Sequence, residues 1–86
     1  MLYKVEIERN AAKVLEKIND PDYRYIKASI LNLAENPRPL GYRKLKGRDA
    51  YRIRVGIYRI IYEIIDDKLI VNVITIGNRK DIYKRI

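Results

Sequence analysis

The chain contains no cysteine, histidine, tryptophan or phenylalanine. Those gaps exclude a thiol nucleophile, a disulfide framework, a zinc site of the usual nitrogen or sulfur type, and a histidine general base. Glycine and proline are also sparse, at 4 and 3 of 86 residues, and no repeat, linker or low-complexity stretch is present. No segment approaches the ~18 consecutive apolar residues of a membrane span. The opening Met-Leu-Tyr-Lys-Val-Glu-Ile-Glu alternates and lacks a signal-peptide core. A soluble, cytoplasmic protein with no membrane partner is therefore expected, and the absence of cysteine fits that compartment. Arginine, lysine, tyrosine and carboxylates are left to carry any chemistry, with no metal site and no cofactor expected.

What the chain does have is positive charge. Lysine and arginine number 19 against 11 acidic residues, a formal net charge of +8. Apolar residues make up 48% and charged ones 35%, a globular balance, so residues 1–86 are expected to fold as one small domain. All eight aromatics are tyrosines, which suit half-buried surfaces because each joins an apolar ring to a polar hydroxyl.

Residues Leu2 to Glu8 alternate with period two and predict a first strand, with Tyr3, Val5 and Ile7 on one side. Asn10 is placed to cap a helix whose stripe is Ala11, Val14, Leu15 and Ile18. Asp20 and Pro21 then predict the start of a second helix running to about Glu35, with Tyr23, Ile26, Ile30 and Leu33 inward. The Asn36-Pro37-Arg38-Pro39-Leu40-Gly41 run is a loop, since two prolines and a glycine in a row of six sustain neither helix nor strand. Tyr42 to Lys46 reads as a short extended piece, followed by strands over Tyr51 to Val55, Ile57 to Ile65 and Leu69 to Ile76. Asp81 to Ile86 reads as a helical turn. This order predicts an α+β fold: an N-terminal strand and a helix hairpin packed on a mostly antiparallel four-stranded sheet, ending in a short C-terminal helical turn.

One face of that sheet is left uncovered, and the charge gathers there. Arg52 and Arg54 point to the side opposite Tyr51, Ile53 and Val55. A hairpin at Gly56 would bring Arg59 beside Arg54, while Arg43, Lys44, Lys46 and Arg48 lead into the region and Arg79 and Lys80 follow the last strand. Arginine alternating with isoleucine is also what an ordinary solvated sheet face looks like. Clustering of like charge argues instead for an anionic partner. RNA fits, because guanidinium forks match phosphate oxygens and tyrosine planes stack on unpaired bases; acidic protein segments fit by the same physics. Asp66-Asp67 reads as a hairpin tip and not as a cation site, and the glycines form no phosphate-binding loop.

Three stretches together carry a family resemblance: Asn-Pro-Arg-Pro-Leu-Gly-Tyr-Arg-Lys-Leu-Lys-Gly, then Tyr-Arg-Ile-Arg-Val-Gly-Ile-Tyr-Arg-Ile-Ile-Tyr-Glu-Ile, and finally Ile-Gly-Asn-Arg-Lys-Asp-Ile-Tyr-Lys. In order and spacing the chain resembles the RelE family of the RelE/ParE toxin superfamily over almost its whole length. The resemblance implies the toxin of a type II toxin–antitoxin pair, an endoribonuclease that cuts messenger RNA in the ribosomal A site by attack of a ribose 2′-hydroxyl. It implies catalytic roles for Arg52, Arg54, Arg59, Arg79 and Tyr83, and RNA or ribosome contacts through Arg43, Lys44, Lys46, Arg48 and Lys80. The partners implied are a cognate antitoxin, the ribosome and its message, with DNA bound only through the antitoxin complex. Arg52 and Arg54 stand where the best-known ribonucleases of the family have lysines, and Asn78 where many relatives have histidine. An arginine holds its proton too tightly to act as a general base. Two other readings therefore stay beside the first: a ParE-like gyrase-inhibiting toxin, and a catalytically weak interaction module.

Overall fold

A computed structural model describes residues 2–78. Strand β1 (Lys4–Ile7) is followed by helices α1 (Arg9–Glu16) and α2 (Asp22–Asn32). Strands β2 (Arg43–Lys44), β3 (Tyr51–Val55), β4 (Tyr58–Ile65) and β5 (Ile70–Asn78) complete a five-stranded sheet in the order β1-β5-β4-β3-β2. The expected α+β architecture is present. The first strand joins the sheet, pairing parallel with β5, whereas every other pairing is antiparallel. The helical turn expected at Asp81 to Ile86 lies outside the described residues.

Both helices begin differently from the capping pattern in the sequence. Glu8 donates its N–H to the Val73 carbonyl and accepts at its own carbonyl from Ala12, both at 2.9 Å, so strand pairing passes directly into helix. Glu8 thereby takes the cap position, with Asn10 inside the first turn. Pro21, not Asp20, caps α2, and the Asp20 carboxylate lies 3.7 Å from Arg24 Nε one turn on. Past Asn32 the chain tightens into i→i+3 turns at Leu33, Ala34 and Glu35, a common helix ending.

The core lies between the helix pair and one sheet face. Ala11, Leu15, Ile26, Ile30 and Leu33 meet Ile53, Ile60, Tyr62, Val71, Val73 and Ile76. Val73 and Ile76 both reach this core because β5 carries a bulge: Ile61 pairs with Thr75 but Tyr62 pairs with Val73, leaving Ile74 as the extra residue. Unbroken alternation would have sent Ile76 to the other face.

At one end a polar clamp holds three segments together. The Arg38 guanidinium donates to both Asp66 carboxylate oxygens, at 2.9 and 3.4 Å, and the Tyr3 hydroxyl donates to Asp66 Oδ1 at 2.6 Å. These bonds, Arg38's foremost, hold the Asp66 carboxyl below its ordinary range. Asp66 and Asp67 thus occupy a turn, as the sequence predicts, in the 3₁₀ segment Asp66–Lys68.

Candidate functional site

The arginines occupy the sheet face opposite the helices, and strand register sets their spacing. Gly56 and Ile57 make a two-residue turn between Val55 and Tyr58. Gly56 has φ +60°, the left-handed region that a tight hairpin needs at its first central position. That turn places Arg54 directly opposite Arg59, and Arg59 in turn opposite Gly77 of β5. A second row, two residues back, runs Arg43, Arg52, Ile61 and Thr75 across four strands. The rows lie about 7 Å apart. Each row sets two arginines directly opposite one another, Arg54 with Arg59 and Arg43 with Arg52, an arrangement that favours an anion on this face.

The environments of these arginines differ sharply. Arg54 is exposed, Arg59 is half-buried with its Nε shielded from solvent, and Arg52 is only 6% exposed. The face is therefore less open than a two-layer architecture implies. The segment from Leu45 to Ala50 folds down over it, closed by a 2.8 Å bond from the Leu45 N–H to the Ala50 carbonyl. Ala50 and Ile61 are fully buried there, with Leu45 and Ile74 packed against them. This small apolar cluster covers Ile61, whose cross-strand partner is Arg52.

The same segment carries the other basic residues. Arg43, Lys44, Lys46 and Arg48 are exposed and, with Arg52, line a cleft of about 600 Å³. Among the described residues, Lys44 has a carboxylate near it, Asp49 at 4.0 Å. The structure thus brings Arg43, Arg52, Arg54 and Arg59 onto one face and sets Lys44, Lys46 and Arg48 on its rim. Arg79, Lys80 and Tyr83, expected to complete the site, lie outside the described residues, immediately after the end of β5 at Asn78.

A tyrosine stack that sequence reasoning did not single out stiffens the neighbouring edge. The rings of Tyr42, Tyr51 and Tyr62 follow one another at centroid distances of 5.9 and 6.0 Å, and Arg38 lies 5.9 Å over Tyr51. Tyr62 is fully buried and its hydroxyl donates to the Pro37 carbonyl at 2.7 Å. Burial pushes the Tyr62 phenol well above its ordinary value. A signal existed in the Tyr51↔Tyr62 pairing that a hairpin at Gly56 dictates, but the contribution of Tyr42 depends on how the loop folds.

Residues 5–83 match the family model described as the ParE toxin of the type II toxin–antitoxin system parDE. The chain is 31% identical over 83 residues to the mRNA interferase toxin RelE of Escherichia coli, covering 93% of this chain and 86% of that protein. It is 32% identical to a putative toxin RelE1 of Methanocaldococcus jannaschii, with 98% of each chain covered. Among solved structures it superposes on an archaeal RelE–RelB complex from Pyrococcus horikoshii with TM-score 0.82, at 28% identity over 92% of this chain and 97% of that one. It also matches a doubly substituted free E. coli RelE with TM-score 0.80, at 30% identity over 100% and 99% of the two chains.

Proposed function

The chain belongs to the RelE family of the RelE/ParE toxins, and on that premise we propose that it is the toxin of a type II toxin–antitoxin pair, an endoribonuclease that cuts ribosome-bound message. The observation that carries this reading is the arginine row in which Arg54 faces Arg59 across β3 and β4, with Arg52 in the next row of the same face. The phosphodiester oxygens of RNA match the guanidinium forks of such a row.

In the proposed reaction the ribose 2′-hydroxyl attacks the adjacent phosphorus, the bond to the 5′-oxygen breaks, and a 2′,3′-cyclic phosphate and a 5′-hydroxyl result. Arg54 and Arg59 hold the non-bridging oxygens and stabilise the charge that builds on them. Arg52, only 6% exposed, fixes the position of that charge from behind. Arg79 serves the leaving oxygen, and Tyr83 orients the nucleotide or accepts the 2′-proton. Arg43, Lys44, Lys46, Arg48 and Lys80 track the surrounding RNA backbone. The site works in the cytoplasm with residues 1–86 as a single domain, and a cognate antitoxin holds the toxin inactive, as RelB partners RelE in the archaeal complex. Primer extension on translated message tests this reading: cuts at A-site codons are expected. Intact message on ribosomes exposed to folded protein would reject it.

The match to a model described as a ParE toxin favours one second reading, inhibition of gyrase. Loss of supercoiling activity with translation unaffected would replace the first reading by this one.

A further inference from the structure

Arg43 and Arg54 lie on different strands, yet both line one groove of about 450 Å³, within the size range of sites that take small molecules. It opens between α2 and the 39–41 turn and reaches β3 at Arg52, Ile53 and Arg54. Ser29 and Asn32 stand one helical turn apart on α2, so a hydroxyl and a side-chain amide line the same wall. Ile53 and the fully exposed Leu40 supply apolar surface. Among the described residues, no carboxylate lines the groove.

The groove is continuous with the arginine face. Arg54 also belongs to the row that faces Arg59, and Arg43 and Arg52 also line the basic cleft of about 600 Å³. Alternation sends Ile53 to the helix side of β3 and its neighbours Arg52 and Arg54 to the other side. The groove therefore leads round the strand, from phosphate-binding charge to apolar surface and then to an amide and a hydroxyl. A nucleotide has the same order of parts: a phosphate, a sugar, then a flat apolar ring with a polar edge.

We propose that this groove is a nucleobase subsite, which takes the base of the message nucleotide next to the scissile phosphate. The rows of Arg43 and Arg54 lie about 7 Å apart, a span that one nucleotide of an extended strand bridges from phosphate to phosphate. The base between them turns round the edge of β3, with Leu40 and Ile53 against its ring and Ser29 and Asn32 on its polar edge. An amide donates and accepts side by side, which suits the Watson–Crick edge by which unpaired bases are recognised. The inference rests on the message-cutting reading and adds to it the place where bases are selected.

The test titrates the isotope-labelled full chain with adenosine and cytidine 3′,5′-bisphosphates, and with the matching sugar bisphosphate that lacks a base. The Ile53 methyl and Asn32 amide resonances should shift with the nucleotides, which should bind about tenfold tighter than the abasic compound. Asn32→Ala with Ser29→Ala, which keeps helix propensity high, should bring the nucleotides down to the abasic affinity. In primer extension on translated message, the spread between the most and least favoured codons should narrow about tenfold in the same variant. The inference is overturned if nucleotide and abasic compound bind equally, if the variant keeps the parental spread, or if an acidic valine–glutamate peptide shifts the Ile53 methyl where the nucleotides do not. Message cleavage with an Ile53 methyl that stays in place at saturating nucleotide rejects the subsite alone. Nucleotide binding at Ile53 without cleavage rejects the ribonuclease reading and leaves the subsite standing.

Discussion

Arg52 and Arg54 are two residues apart on one strand, yet the fold treats them as different kinds of group. Arg54 is exposed, whereas Arg52 is only 6% exposed. Arg54→Ala is therefore expected to lower message cleavage by about a hundredfold, the scale of losing one charge-stabilising donor. Its stability should change by no more than about 0.5 kcal/mol, as for an exposed surface site, which chemical denaturation will check. Arg52→Ala is expected to reduce both activity and the denaturation midpoint, because it empties a filled position. The Tyr62 hydroxyl is another buried polar group, and it donates to the Pro37 carbonyl. Tyr62→Phe leaves that carbonyl unsatisfied and should cost about 1–3 kcal/mol in urea unfolding. Burial raises the Tyr62 phenol above its ordinary value of 10.0. The neutral form is thus favoured by folding; its contribution is complete below pH 10 and is lost as pH rises through the folded-state value. Tyrosine absorbance should accordingly show the Tyr62 phenol ionising last, together with alkaline unfolding.

Among the elements, the Arg38–Asp66–Tyr3 clamp joins the loop before β2, the β4–β5 turn and the first strand. The Asp66 carboxyl sits below its ordinary 3.8, so the folded state favours the ionised form. That contribution is present above pH 3.8 and disappears as pH falls through the folded-state value. The acid limb of a plot of denaturation midpoint against pH should be shallower in Asp66→Asn than in the parent. The basic 45–50 segment makes a separate prediction. Lys46→Ala with Arg48→Ala should weaken RNA binding and reduce its logarithmic salt slope by about 0.7 for each phosphate no longer neutralised, leaving single-turnover cleavage at saturation unchanged. Filter binding over a salt series measures the first effect and rapid quench the second. These elements were unevenly legible in the sequence. The helix stripes, the Gly56 hairpin and the Asp66 turn rest on neighbouring residues and were readable. The clamp joins residues 28 and 63 positions apart, and no local pattern marks such a pairing.

For the molecule as a whole, the two sheet faces divide the work. One buries the apolar residues against the helices, and the other gathers the cations of a chain with net charge +8. The polarity of each strand was enough to derive this division, and the resemblance in the second half of the chain gave the arginines their expected roles. Alternation within a strand and the turn chemistry beside it are local properties, so the order of residues already dictates which of them share a side and that Arg54 meets Arg59. Packing between distant segments goes with the bulge at Ile74, which returns Ile76 to the core, and with the Leu45 and Ala50 cover over Ile61. Each of these outcomes depends on how stretches far apart in the chain meet in space, and burial is a property of that meeting, not of any residue's neighbours in sequence.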